Sequence, residues 1–200
     1  MAKKVNKTSK EEIKLKAFEL MAKQGVQSIS MRQIADACGV SKPMLYYYFK
    51  DKDDLLFQMI KERVDGVNKT LAQGLKEDLS LQNIFEILFN SHSFGASDFK
   101  KTSSFLIHLS VYVQGNKSLE NKLLTIRKEA NKSIHNVLNL QYKKGRLTKK
   151  NKEIGYYLVL AIFSFLSMCG VDKSIKINKE ILKNITGAIL KGISYKGEVK

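Results

Sequence analysis

Apolar residues recur every three or four positions along most of the chain, and this spacing predicts an almost wholly helical protein. The first such stretch covers residues 13–21. Thr8 and Ser9 each precede a glutamate by three positions, which is capping-box spacing, and Gly25 follows the apolar stretch. We therefore expect a first helix that begins near residue 9 and ends just before Gly25.

Residues 30–52 have the pattern of two short helices joined by a tight turn and followed by the start of a third helix. Ser30 and Gln33 have capping-box spacing, so the first of these helices should begin at Met31. Gly39 stands where a chain needs a positive φ to leave a helix and turn. The pattern is that of a helix-turn-helix.

The second short helix should present a row of tyrosines outside the core. Ser41 can cap this helix, and Pro43 falls in its first turn, where a missing N–H costs nothing. Leu45 and Phe49 lie four positions apart and therefore face inward together. The positions left for the outside or its edges are Lys42, Met44, Tyr46, Tyr47 and Tyr48.

Consecutive tyrosines on so short a helix predict a surface that docks on DNA, because a short helix can bury only one stripe. Phenol hydroxyls can bond phosphate oxygens, and ring faces can contact thymine methyl groups. The alternative is an ordinary helical hairpin with surface tyrosines. Arg32 is the candidate for a base-edge contact, since a guanidinium can grip guanine O6 and N7 together; a phosphate contact or a plain surface arginine is its alternative. The candidate DNA-contact residues are Arg32, Gln33, Ser41, Lys42, Pro43, Met44, Tyr46, Tyr47, Tyr48 and Lys52.

Further amphipathic helices follow the helix-turn-helix. Asp51 is a good N-cap for a long helix that should run to about Lys76, and Lys52 at its start is well placed for a phosphate. Because this helix starts beside the expected DNA site and ends far from it, it can connect two parts of the protein. Later helices are expected over 78–95, 102–114, 118–143 and 178–193, with a break at 94–100 and a basic loop at 143–152.

Residues 154–171 are apolar nearly all round. A membrane span needs about 20 apolar residues, and this run is shorter and contains two Gly and two Ser. We therefore expect a helix buried on two sides. Together with the last helix it has more apolar surface than one small domain needs, which suggests a contact between subunits. The candidate interface residues are Tyr157, Ile162, Ile181, Ile185, Ala188 and Ile189.

The net charge of +16 points to a polyanionic partner, but it does not locate the site. Residues 1–65 carry 13 basic and 9 acidic side chains, whereas the rest of the chain carries 22 and 10. General Lys-, Asn- and Ile-rich usage is the alternative explanation for the second part. The positive field should still speed association with DNA and make affinity fall with salt.

Motifs of enzymes and metal sites are missing from the sequence. Cys38 and Cys169 are far apart and outside any CxxC or Cys/His cluster, so we expect reduced thiols and no metal. There is no nucleophile elbow, phosphate loop or credible carboxylate pair, which argues against catalytic residues, a cofactor or an enzyme. The N-terminus lacks the apolar run of a signal peptide, so a cytoplasmic protein with no membrane partner is expected.

One set of residues in the first third of the chain carries a specific resemblance. The set is Ile34 and Ala35, Gly39 to Ser41, Leu45 and Tyr46, Tyr48 and Phe49, Lys52 and Leu55. With these residues, positions 8–65 resemble the N-terminal DNA-binding domain of the TetR family of bacterial transcription regulators. The family often has Gly and Thr where this chain has Pro43 and Met44, and His where it has Tyr48, which affects the operator sequence that we can expect.

The resemblance implies an all-α protein: a three-helix helix-turn-helix DNA-binding domain joined by a long helix to an all-helical ligand-binding and dimerisation domain. The corresponding boundaries are 1–50, 51–76 and 77–200. The implied function is that of a repressor that binds a palindromic double-stranded DNA operator as a homodimer and is released by a small, lipophilic effector of unknown identity. The alternative is a DNA-binding protein of the same build that answers to a protein partner or has no small effector.

An apolar effector cavity is also an implication of the resemblance. Aromatic residues of the second part of the chain can line this cavity, and histidines can supply polar contacts to a ligand. The alternative for each of these residues is ordinary helical core. The candidate ligand-binding residues are Phe85, Phe89, His92, Phe105, His108, Tyr112 and Phe165.

Overall fold

The protein is all-helical in the part of the chain that the structure describes, as predicted. The structure, a computed structural model, describes residues 9–90 and 99–157 and six later positions: 180, 184, 187, 188, 191 and 192. No strand occurs among these residues. The helices are α1 (Lys10–Gln24), α2 (Met31–Cys38), α3 (Lys42–Tyr48), α4 (Lys52–Lys76), α5 (Leu81–Asn90), α6 (Phe99–Gln114) and α7 (Lys117–Lys143), and residues 149–157 form a further helical segment.

Side-chain caps set the starts of several helices where the sequence predicted them. Ser9 and Glu12 form a reciprocal capping box at α1, and the carboxylate of Asp51 accepts the Asp54 N–H at 2.7 Å at the start of α4. Asn116 caps α7 by accepting the N–H of Leu119 at 3.1 Å. The predicted bounds of α1, α2 and α4 are therefore confirmed to within a residue.

The starts of α5 and α6 differ from the prediction. Asp78, the expected start of α5, adopts a φ of +55°, which a helix cannot contain. Ser80 instead accepts the N–H of Asn83, so that α5 begins at Leu81. At α6, the helix already includes Phe99, which the sequence assigned to a break. Local pattern alone misplaced both starts.

Two hydrophobic cores lie along α4. The first, here called the N-terminal core, joins α1–α3 and the start of α4 to α6 and the start of α7. The second, here called the distal core, joins the end of α4 to α5 and the end of α7. Within the distal core, Gly74 of α4 lets Ile84 of α5 approach so closely that an added Cβ would lie 2.5 Å from its Cγ1. The fully buried residues of the N-terminal core include Ile13, Ala17, Met21, Ile34, Leu45, Phe49, Leu55, Leu56 and Leu119.

The apolar run of residues 154–171 lies mostly outside the described residues, and so do the break and most of the last helix. Among the helices that are described, none is both long enough and apolar enough to cross a bilayer.

Candidate nucleic-acid interface

Three side-chain caps and one glycine fix the helix-turn-helix. The N–H of Gln33 donates to Ser30 Oγ at 3.3 Å, and Gln33 Oε1 accepts the N–H of Ser30 at 2.8 Å. Gly39 turns the chain in the left-handed region, with a φ of +66°. Ser41 then accepts the N–H of Met44 at 3.3 Å and starts α3. The polar groups at both helix ends are thus satisfied locally, which fixes the angle between α2 and α3.

Buried apolar side chains anchor α3 by one face. Leu45 and Phe49 are fully buried, as predicted, and Ile34 on α2 is buried beside them in the N-terminal core. Cys38, near the end of α2, is half-buried, and burial raises the pKa of its thiol. With one face of α3 anchored, its other side chains are held at the surface.

The outward face of α3 is aromatic and unusually exposed. Tyr47 is 83% exposed and Tyr46 is 50% exposed, whereas Tyr48 is half-buried against Phe49. The rings of Tyr47 and Tyr48 meet edge to face, with centroids 5.2 Å apart. The three rings thus cover the outward surface of α3, from the exposed Tyr47 to Tyr48 at the edge of the core. The other predicted residues of α3 and its cap lie at the same surface, exposed at Ser41, Lys42 and Pro43 and half-buried at Met44.

Arg32 lies at the surface of the first turn of α2. Its Nε is 3.8 Å from Asp36 Oδ2, and both side chains are more than 70% exposed. An exposed ion pair of this length contributes little, so the guanidinium can turn to another anion at small cost. Gln33 is exposed, but its side chain is committed to the capping box.

Lys52 has partners other than the phosphate oxygens that the sequence predicted. Its Nζ donates to the carbonyls of Val26 and Ile29, at 3.2 Å each, and lies 4.6 Å above the ring of Tyr112. Burial lowers the pKa of the Lys52 ammonium. Lys52 therefore joins the loop before α2 to α6, and a role in holding DNA stays a prediction.

A carboxylate beside Lys52 joins α4 to α6 and α7. Asp53 accepts the phenol of Tyr112 at 2.8 Å and the side-chain amide of Asn116 at 2.6 Å, a group that we call the Asp53 clamp. Burial, and then the hydrogen bond to Asp53, raise the pKa of Tyr112 to about 12. Ser104 adds a bond from α6 to the carbonyl of Ala22, at 2.7 Å. The helix-turn-helix is thus tied to α6 by polar as well as apolar contacts.

The described residues of the predicted effector cavity lie at this junction with the helix-turn-helix. Phe105 is 3% exposed and packs on Phe18 of α1, with ring centroids 5.2 Å apart. The ring of His108 faces Gly25, 3.5 Å from where a Cβ would be, and Tyr112 belongs to the Asp53 clamp. Phe105 is thus buried between α1 and α6, and a role in lining an effector cavity stays a prediction. Phe85 and Phe89 lie on α5, but their side chains, and His92 and Phe165 entirely, lie outside the described residues.

Two of the predicted dimer residues are described. Tyr157 is 70% exposed and meets Tyr156 edge to face, with centroids 5.4 Å apart. Ala188 is exposed. The others, Ile162, Ile181, Ile185 and Ile189, lie outside the described residues.

Sequence reasoning missed Asp53 and Arg63. Asp53 lies in the first turn of α4, where the helix dipole alone accounts for an acidic residue, yet its partners lie 59 and 63 positions away. Arg63 interrupts the apolar stripe of α4, four positions after Met59 and four before Val67, and this interruption was the available signal.

The comparisons with known proteins agree with this geometry. Residues 15–59 match the model of the bacterial regulatory proteins of the tetR family. An uncharacterized HTH-type transcriptional regulator of Bacillus subtilis, YerO, is 26% identical over 138 residues, which cover 68% of this chain and 47% of YerO. The chain thus spans less than half the length of the curated relatives that it matches first.

Solved structures share the fold over nearly the whole chain. The fatty acid degradation regulator FadR of Bacillus halodurans has a TM-score of 0.66 at 20% identity, and the match covers 93% of this chain and 96% of that one. FadR of Bacillus subtilis, in complex with stearoyl-CoA, has a TM-score of 0.64 at 18% identity, covering 95% and 100%. Residues 15–59, which include the capped helix-turn-helix, thus carry the DNA-binding region of the tetR family of bacterial regulatory proteins, on a helical fold that the solved structures share.

Proposed function

We propose that the protein is a transcriptional repressor that binds a palindromic DNA operator as a homodimer and is released by a small lipophilic ligand. The observation that carries the proposal is the outward face of α3. Tyr47 is 83% exposed on a helix whose opposite face is fully buried. A rigidly held helix with aromatic and basic side chains outward suits a major groove, because the groove admits one helix and offers base edges and phosphates.

Contacts to the DNA divide into two kinds. Lys42 and the tyrosine hydroxyls suit phosphate oxygens, which position the protein without reading sequence. Arg32, at the start of α2, suits a guanine edge or a neighbouring phosphate. The net charge of +16 adds a long-range attraction, so that affinity should fall steeply with salt.

A homodimer is part of the proposal because one copy of α3 reads too few base pairs. Two copies must lie roughly 34–36 Å apart to enter successive major grooves. The exposure of Tyr157, a large aromatic residue near the start of the apolar run of residues 154–171, supports a contact between copies in this region.

Release by a ligand requires that the ligand bind the two states of the protein with different affinity. The junction supports such coupling: Lys52, the Asp53 clamp and the Ser104 bond connect α6 to the helix-turn-helix and to the start of α4. A shift of α6 would therefore move the DNA-binding surface. The similar FadR of Bacillus subtilis, whose structure holds stearoyl-CoA, makes acylated compounds the first ligands to test.

The test is a footprint on the DNA that flanks the protein's own gene. We expect two protected half-sites related by two-fold symmetry, with centres one helical turn apart. A protein-free lipophilic cell extract should remove the protection. Removal only by a dialysed protein extract would favour control by a protein partner instead, and lack of protection at moderate salt would contradict the proposal as a whole.

A further inference from the structure

Arg63 lies on α4 between the two hydrophobic cores. Met59, one turn earlier, packs on the N-terminal core, and Val67, one turn later, packs on the distal core. Both are half-buried. The polar pair formed by Arg63 and Thr102 of α6 therefore interrupts the apolar interior at the place where one core gives way to the other.

Arg63 is half-buried, and its guanidinium finds few acceptors among the described residues. Its one hydrogen bond to the described residues runs from Nη2 to Thr102 Oγ1, at 3.2 Å, and no carboxylate in the described part of the chain pairs with it. Burial lowers the pKa of the Arg63 guanidinium. A guanidinium carries five N–H donors and stays charged, and most of these donors find no acceptor among the residues that the structure describes.

Arg146 shows what a partnered arginine looks like in the same chain. Its Nη1 and Nη2 reach the Asp78 carboxylate at 3.0 and 3.1 Å, and Nη1 also donates to the Asp78 carbonyl at 3.3 Å. That fork-to-carboxylate geometry is the arrangement that compensates an arginine for lost water. Arg63, although the more buried of the two, lacks it.

A second polar group of the same stretch of α4 is also unsatisfied. Asn68 Oδ1 is buried and finds no hydrogen-bond partner among the described residues. On α6, Thr102 is 9% exposed, so the acceptor of Arg63 is itself buried. Unsatisfied buried polar groups are uncommon in native structures, so each of them requires a physical explanation.

We propose that Arg63 and Thr102 form the site for the oxyanion head group of an amphiphilic small molecule. A carboxylate or phosphate oxygen pair would accept the unused N–H donors of Arg63 and the hydroxyl of Thr102. The apolar part of the molecule would lie along half-buried residues such as Met59, Val67 and Leu106. This assignment rests on the proposed function, since it names the chemistry of the ligand that would release the protein from DNA.

Calorimetric titration with four probes of equal chain length tests the head group: decanoate, decyl phosphate, decanol and decyltrimethylammonium. We expect the purified protein to bind at least one of the two anions about tenfold or more tightly than decanol, since a charge-assisted bond is lost with the neutral head. The preferred anion identifies the head group as a carboxylate or a phosphate. Equal affinity for decanol, or no saturable binding of either anion, would overturn the site.

Variants locate the binding on the chain. Arg63→Gln should weaken binding of the preferred anion about tenfold and leave decanol unchanged. Arg127→Gln, which removes a charge from the exposed surface of α7, is the matched control and should change neither. If both variants weaken binding of the anion equally, the binding reflects only the basic surface, and the proposal fails.

Thermal unfolding without any ligand provides an independent measurement. Arg63→Met removes a half-buried charge that lacks a counter-ion among the described residues, so its Tm should equal or exceed that of the parent. Arg146→Met breaks the ion pair with Asp78 and should lower Tm. A fall of similar size in Arg63→Met would show that Arg63 has a structural partner and would refute the site.

DNA binding by Arg63→Gln separates this inference from the proposed function. In a gel shift without ligand, the variant should bind DNA as the parent does, because Arg63 lies far along α4 from α3. Failure of the parent to bind DNA would contradict the proposed function but not the anion site. Failure of the parent to bind either anion would contradict the anion site but not the binding of DNA.

Discussion

At the scale of single residues, three consecutive tyrosines have three different environments because each helical step turns a side chain by about 100°. Tyr47 reaches solvent, Tyr46 is half-exposed, and Tyr48 rests on the core. The sequence predicted this arrangement, because the inward positions of Leu45 and Phe49 leave no other face for the tyrosines. Tyr47 is therefore the residue whose loss should affect DNA without affecting the fold.

Tyr47→Ala should weaken operator binding about tenfold, because one phosphate or base contact is worth about 1–3 kcal/mol. Thermal stability should change little, since the side chain is mostly exposed. A gel-shift titration measures the affinity. Tyr142→Ala, at an exposed tyrosine of α7, is the control and should bind as the parent does. If Tyr47→Ala bound the operator as tightly as the parent, the outward face of α3 would not be the DNA-binding surface.

Tyr112→Phe tests the Asp53 clamp through pH. The pKa of the Tyr112 phenol is raised in the folded state from 10 to about 12, so the unfolded chain loses this proton first. The stability that the phenol contributes is fully present below pH 10 and is lost as pH rises towards about 12. The difference in unfolding free energy between parent and variant should therefore shrink across this window.

Urea unfolding at several pH values measures that difference, and the other tyrosines and lysines cancel because both proteins carry them. A difference that stays constant from pH 9 to pH 12 would mean that the phenol does not form the bond to Asp53. The sequence could not predict this bond, since Asp53 and Tyr112 are 59 positions apart and neither has a local pattern that requires the other.

At the scale of elements, the starts of α2 and α3 were predictable from their local caps, whereas the start of α5 was not, although Ser80 caps it. Ser30 and Ser41 satisfy the first turns of α2 and α3 within three residues, so the signal is contained in the sequence. The start of α5 depends on the left-handed φ of Asp78, a conformation that non-glycine residues seldom adopt. Asp78 holds an ion pair with Arg146, 68 positions away, so a distant contact helps to decide a local boundary.

Gly39→Ala should destabilise the protein by about 1–2 kcal/mol, because Gly39 has a φ of +66° and alanine is strained there. No atom lies within 4 Å of the added Cβ, so the effect is backbone strain and not a clash. Urea denaturation measures it. Gly39→Asn is the matched variant and should lose less, since asparagine tolerates the left-handed region. Equal losses in the two variants would contradict this explanation.

At the scale of the whole molecule, the number and order of the helices were largely predictable, but which helices pack against each other was not. The all-helical class and the long α4 follow from periodicity and composition. The packing of α6 and α7 into the N-terminal core does not follow from them, because the apolar stripe of α6 does not indicate which helix it packs against. The predicted boundary at residue 76 describes the helix pattern, whereas the packing continues across it.

Tyr157→Glu should weaken the proposed homodimer about tenfold or more, since it would place a charge in an apolar contact. Light scattering over a range of protein concentrations should then show monomers where the parent is dimeric. Tyr142→Glu is the control at another exposed tyrosine and should leave the dimer intact. An unchanged dissociation constant in Tyr157→Glu would place the contact elsewhere.

The covering of α1 by Phe105 and Leu109 also bears on how this architecture can be divided. Both side chains come from beyond α4 and are almost fully buried within the N-terminal core. A fragment cut after α4 would leave the cavities that those side chains fill, exposing Phe18 to water. The unit formed by α1–α4 is thus not a detachable module that could be joined to another protein at the end of α4, because the transferred segment would have to include α6.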